Sequence, residues 1–367
     1  MTQSDAQGAT VVAQWKEAIA ASAAVLLRHA VVDIPADSPG WIDSGVDLKA
    51  GESVTLLSTG SAGLAGGADI SFAAQTLLWW RIRPGGEIAK LPASTTTFTA
   101  AETGRLEFVV NFPGAWVDRS GGLAADWPRQ AAAGLYTVAV LVWKGSADEG
   151  LGRFAAADKS GVASGERGRL ISPAQLPRGW EPLWRVGENE VYREPFEVKG
   201  RQHIACRCSA DGGIIKYPLD LPLDGTTRLA WDWRMIALPS KVKEDITPTH
   251  DYLSIAVEFD NGQDLTYIWS SALPVGTSFR CPLPWWDKRE THQVARSGES
   301  ELGRWLAEDQ PLLADYERAV GGPPPSRIVG VWLIAVAILQ RGRGECDYRN
   351  IELRSAGGIH VVGPASR

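Results

Sequence analysis

Residues 250–270, HDYLSIAVEFDNGQDLTYIWS, read as two strands and the turn that joins them. Apolar residues recur at every second position through YLSIAVEF and again through LTYIWS, the period of a pleated strand. Between them stands Asp260-Asn261-Gly262-Gln263, with the Asn-Gly core that tight hairpins use because both central residues need positive φ. Strand parity then groups side chains. Ile255, Val257 and Phe259 share one face, Glu258 lies with Ser254 and Ala256 on the other, and Leu265, Tyr267 and Trp269 fall together.

Outward from this hairpin the same punctuation recurs. HIACRCSA (203–210), TRLAWDWRMI (227–236), THQVARSG (291–298), SRIVGVWLIAVAIL (326–339) and CDYRNIELRS (346–355) all read as strands, as does VYREPFEVKG (191–200). One helix is expected over about Glu301–Val320, started, kinked or interrupted by Pro311. Nearer the N-terminus, 41–145 holds a second series. VDLKAGESVTLLSTG is strand, turn, strand; LLWWRIRPGGEIAKL (77–91) is a hairpin on Pro84-Gly85-Gly86; TTTFTA, RLEFVVNF and LYTVAVLVW follow. Strands so closely spaced, without helices between them, indicate antiparallel sandwiches and not a βαβ sheet. The fold class is therefore all-β: two antiparallel, jelly-roll-like β-sandwich domains, an N-terminal helix, and one helix in the second domain.

A chain of 367 residues exceeds one comfortable core. Residues 146–170 are rich in Gly, Ala, Ser and charge, and form the expected linker. The division is a helical segment 1–35 (helix over about Val11–His29), a sandwich 36–145, a linker 146–177, a second sandwich 178–356 with the ligand or active site, and a tail 357–367. Net charge of -6 argues against a nucleic-acid partner. IAASAAVLL, near the N-terminus, is too short to span a bilayer of about 20 helical residues, and the chain is expected to be cytoplasmic. Four cysteines are too few for a disulfide scaffold; Cys206-x-Cys208 puts both thiols on one strand face, read as buried and reduced. His203, His250 and His292 lie in separate segments, so no metal and no cofactor are expected. P-loop, GxGxxG, GxSxG, HExxH and EF-hand patterns are absent.

Two blocks resemble known families. AGESVTLLSTGSAG (50–63), LLWWRIRPGGEIAKL and TFTAAETGRLEFVVNFPGAW (97–116) resemble the small β-sandwich of the bacterial galactophilic lectins. The resemblance implies a galactose-binding-like shell. It does not carry over the calcium ligands, because Phe112 follows Asn111, no Thr stands nearby, and only Asp118 and Asn111 offer oxygen. LAWDWRM (229–235), the hairpin 250–270, the segment of Trp305, Glu308 and Tyr316, and the closing strand pair resemble the bacterial domain-of-unknown-function family 3047. That resemblance implies a sandwich-like fold.

Tryptophan outnumbers each other aromatic, 16 against 8 Phe and 7 Tyr. Buried indole N–H groups need partners, so surplus Trp suggests either core or ring-stacking surface. Trp233, Tyr267 and Trp269 are read either as a ring platform for a ligand or as core between the sheets. Trp285 and Trp286 sit in a proline-flanked loop, off any central strand. His250 and Asp251 enter a strand from an irregular loop and suit proton transfer, with His292 as a further partner; Asp251 as a turn cap is the alternative. His292 and Arg296, four apart, share a face, and Arg296 suits an anionic group. The expected function is a carbohydrate- or glycan-directed protein binding a small-molecule or sugar-like ligand on the Trp-lined second sandwich. The alternative is a cofactor-free enzyme, a lyase, hydratase, cyclase or glycoside-cleaving type, using Asp251, His250 and His292. Oligomeric state is left open.

Overall fold

The computed structural model describes residues 3–64, 70–126, 129–193, 203–246 and 250–363. The chain divides into two compact units, Met1–Ala174 and Gln175–Arg367. Both are built mainly of antiparallel strands. Among the described residues no helix is long and apolar enough to cross a membrane.

Unit 1 runs α1 (Gln3–Ala21), β1 (Leu26–Pro35), β2 (Ile42–Leu48), β3 (Ser53–Leu64), β4 (Ser71–Phe72), α2 (Ala74–Leu77), β5 (Leu78–Arg83), β6 (Ala89–Lys90), β7 (Thr95–Thr99), β8 (Gly104–Val110), β9 (Ala132–Trp143), α3 (Ala147–Ala157) and α4 (Val162–Ile171). A five-stranded sheet, β1-β9-β3-β4 with β7 on β3, faces a four-stranded sheet β2-β8-β5-β6. The β5–β6 hairpin pairs Trp79 with Lys90 across the expected Pro84-Gly85-Gly86 turn. Where β3 pairs with β9, only glycine fits: a Cβ on Gly60 (φ 100°) would meet the Leu135 carbonyl oxygen at 2.1 Å.

Two expectations fail here. The first helix ends at Ala21, and 26–35 forms a strand paired along β9; Val31 and Val32, β-branched, suit it better than a helix. Residues 146–170 are no linker but helices α3 and α4. Ser146 caps α3 by accepting from the Glu149 N–H, and Leu151 and Phe154 are buried. These helices and α1 cover the outer face of the five-stranded sheet through Trp15, Leu57, Leu141 and Trp143. The sheet is thus buried on both faces, which accounts for the unbroken apolar run in β9.

Unit 2 runs β10 (Glu181–Pro182), β11 (Tyr192–Arg193), β12 (Ile204–Ser209), β13 (Gly212–Pro222), β14 (Arg228–Ala237), β15 (Tyr252–Phe259), β16 (Asp264–Ser270), β17 (Ser278–Arg280), β18 (Glu290–Ser297), β19 (Leu306–Pro311), α5 (Leu312–Ala319), β20 (Arg327–Val336), β21 (Arg343–Ser355) and β22 (Gly358–Val361). A seven-stranded sheet, β10-β13-β20-β15-β16-β18-β17, faces a six-stranded one, β11-β12-β21-β14-β19 with β22 on β21. Most of the strand expected over 191–200 lies outside the described residues.

The deciding hairpin forms, Glu258 opposite Asp264, but of its two central turn residues Gly262 alone takes a positive φ, 78°. The expected long helix shrinks to α5, because Pro311 lacks the N–H an interior position needs. Residues before it pair instead with β14, Leu306 opposite Trp233. One pair, β16 with β18, is parallel. Parallel neighbours need a long crossover, and 271–289 supplies it; its Trp286 packs on Trp332 of the sheet's outer face.

Candidate functional site

Parity places the aromatic platform. Trp231 and Trp233 on β14 point inward, as do Tyr267 and Trp269 on β16, and all four are fully buried core. Trp233 lies 5.4 Å from Trp269 and Trp231 5.4 Å from Tyr267. Three of the four satisfy their polar atoms within the fold: Trp233 Nε1 donates to Glu308 (3.0 Å), Trp269 Nε1 to the Gly298 carbonyl (2.9 Å), and Tyr267 to Asp315 (2.8 Å). The expected ring platform of Trp233, Tyr267 and Trp269 is therefore corrected: these rings seal the two sheets together. Cys206 and Cys208 are free, buried thiols in the same core.

The second correction concerns Arg296. A register shift opposite Ile268 and Trp269 brings Arg296 beside Trp269, while His292 stands opposite Thr266. The extra residue turns Arg296 to the face opposite His292. Its guanidinium is taken up by Glu308 (2.6 Å) and Glu301 (3.0 Å).

Asp251 is the third. Its oxygens accept from the backbone N–H of Leu339 (3.0 Å) and Gln340 (2.7 Å), so it caps the loop after β20. His250 and His292 do meet, with ring centroids 5.7 Å apart, but the carboxylate beside His292 is Glu290. Burial raises the Asp251 carboxyl to about 6 against the pull of those backbone bonds. The native state then holds the proton more tightly than the unfolded chain, so this group's contribution to stability falls as pH rises from about 4 to 6 and is flat above. Chemical denaturation across that window is expected to show a decline in wild type that Asp251→Asn removes. An equal slope in the variant would assign the decline elsewhere.

The outer face of the seven-stranded sheet carries what sequence reasoning missed. Glu258 is in register with Asp264, and Asp264 with Glu290, so three carboxylates stand side by side on three neighbouring strands. Like charges directly opposite are unfavourable, and the face compensates. Lys216 Nζ lies 2.8 Å from Glu258, while Arg289 reaches both Glu258 (3.3 Å) and Asp264 (3.5 Å). Trp332 Nε1 also donates to Glu258 (3.1 Å). The Arg289 guanidinium lies 5.3 Å from the Trp332 ring and 5.9 Å from Trp286.

At the other end Tyr252 donates to Glu290 (3.0 Å), and Thr266 lies within hydrogen-bond reach of both Asp264 and Glu290. Burial and the neighbouring Glu290 charge push Asp264 well up. Burial also works to raise Glu290, but His292 and the donors Cys281 and Tyr252 outweigh it and hold the group down. Side-chain exposure falls along the row from 16% at Glu258 to 0% at Asp264 and 1% at Glu290. The open end lies at Glu258. Beside that end runs the crossover with Trp286, buried, and Trp285, half-buried. The pairing of Glu290 with His292 was available from parity, two apart on one strand; the carboxylate row was not, because register between strands is a long-range property.

In unit 1, the Asn111 side-chain oxygen is taken by Arg129 (2.8 Å), and one Asp118 oxygen accepts from Ser120 and from the Gly122 N–H.

Residues 178–352, within unit 2, match the model of the family described as Protein of unknown function (DUF3047). No curated protein matches the chain in sequence. Among solved structures it is similar to the EclA N-terminal domain, a PllA-like lectin, at 20% identity over 31% of this chain and 95% of that one, with a TM-score of 0.25. It is also similar to the xyloglucanase domain of NopAA, a type three effector from Sinorhizobium fredii, at 7% identity over 45% and 87% with a TM-score of 0.28. A carbohydrate-binding module of the β-sandwich superfamily shares 10% identity over 88% and 98%, with a TM-score of 0.23.

Proposed function

We propose that unit 2 binds a small, polyhydroxylated, sugar-like ligand at the Glu258 end of the outer sheet face, with Trp285 and Trp286 as its rim. The observation that carries this reading is the backbone of Trp285, held at φ 68° in a proline-flanked loop. The left-handed region costs an L-residue with a bulky side chain about 1–2 kcal/mol. Such strain persists only where the surrounding structure fixes it, and it clusters at binding sites. Its chain neighbour Trp286 packs on Trp332, whose indole N–H donates to Glu258, a partly exposed carboxylate also braced by Lys216 and Arg289. Carboxylates accept paired sugar hydroxyls, and an indole face packs on the apolar C–H face of a sugar ring.

Calorimetry and tryptophan fluorescence with a panel of neutral and acidic saccharides test this. Saturable binding is expected, weakened at least about tenfold (~1.4 kcal/mol) by Trp285→Ala and by Glu258→Gln. Trp285→Ala is expected to leave stability unchanged or slightly higher, because it relieves little burial and keeps the same backbone. No heat with any saccharide, or unchanged affinity in both variants, rules the reading out.

A further inference from the structure

Three side chains from separate stretches converge at the closed end of the same face. His250 stands at the entry to β15, Cys281 follows β17, and His292 lies on β18. Their ligand-type atoms all lie within 4.8 Å of one another, and all three residues are fully buried. Aromatic packing explains the ring positions: His250 stacks on Tyr252 at 5.2 Å, and Phe279 on His292 at 4.9 Å. It does not explain the nitrogens. His292 Nε2 faces Glu290 Oε1 at 3.3 Å, while its Nδ1 has no hydrogen-bond partner among the described residues. A fully buried imidazole nitrogen without a partner is costly unless something binds it.

We propose that His250, Cys281 and His292 bind a divalent cation of the zinc class, with Glu290 orienting His292 from outside the coordination sphere. Zinc–nitrogen and zinc–sulfur bonds of roughly 2.0–2.3 Å set its ligand atoms some 3–4 Å apart, a spacing that modest side-chain rotation reaches from here. Two imidazoles and a thiol suit a borderline-soft ion better than magnesium or calcium, which take oxygen. A carboxylate behind a ligating histidine fixes the ring and its tautomer. On binding, the Cys281 S–H bond breaks, its proton passes to solvent, and a sulfur–metal bond forms. The ion then ties the crossover 271–289 to β15 and β18. This proposal stands whether or not unit 2 binds a saccharide.

The test uses the full chain, stripped with a chelator and then given zinc chloride or cobalt(II) chloride. One equivalent of zinc is expected to remain after dialysis and to raise the melting temperature. Cobalt is expected to show a thiolate charge-transfer absorption. Cys281→Ser should abolish that absorption, and His292→Gln should weaken zinc retention at least about tenfold. Failure of the stripped protein to take up either metal overturns the proposal. So does bound cobalt without the thiolate absorption, a result that needs no variant to fold. Retention of zinc by both variants, if folded, overturns the ligand assignment.

Discussion

Trp233→Ala is expected to lower stability by about 3–5 kcal/mol, the usual loss for deleting a large buried aromatic. Trp233 is wholly buried, packed between Trp231 at 5.5 Å and Trp269 at 5.4 Å. Its removal also takes a donor from Glu308, which braces Arg296. The loss should appear as a lower urea midpoint with saccharide affinity of the remaining folded protein unaltered. A stable Trp233→Ala protein that had lost binding would return this ring to a ligand platform and undo the core assignment.

The second large effect is expected at Arg289. Asp264 is fully buried beside Glu290, and Arg289 is the cation that faces it. Arg289→Met leaves that carboxylate without its counter-charge, a change that typically costs about 3–5 kcal/mol. The deficit should depend on pH. Asp264 already binds its proton more tightly in the native state, through burial and the Glu290 charge, so its contribution to stability falls as pH rises above about 4. Loss of Arg289 extends that fall to higher pH. Denaturation curves from about pH 4 to 8 are expected to show variant and wild type converging at the acid end. A deficit below about 1 kcal/mol, or one equal at every pH, would show that Asp264 does not depend on Arg289.

The strands and their parity were legible in the sequence because a pleat alternates with a fixed period of two. That rule put Glu258 opposite Val257 and Phe259, and Trp231 with Trp233, as the structure has them. It failed where an extra residue intrudes: the bulge at Ala295 turns Arg296 away from His292. The helices α3 and α4 were hidden by composition. Their Gly, Ala and Ser resemble a linker, yet small residues are what let a helix approach a sheet, as Gly150 does against the Trp143 ring. The site was harder to read because its members are distant in sequence. Asp264 and Glu290 become neighbours only through a parallel pairing, and Cys281 joins the two histidines only because the crossover returns over the face.

The helical cover on the five-stranded sheet fixes how this protein can be cut apart. A boundary drawn at residue 145, just past the last strand of the first sandwich, would strand Leu141 and Trp143 in water and remove Leu151 and Phe154, the residues that shield them. Such a fragment would carry every strand of its sandwich and still present an apolar slab to its neighbours in solution. Dissection, fusion or domain exchange should therefore keep 146–171 with the N-terminal piece, treating those residues as the lid of the preceding sandwich.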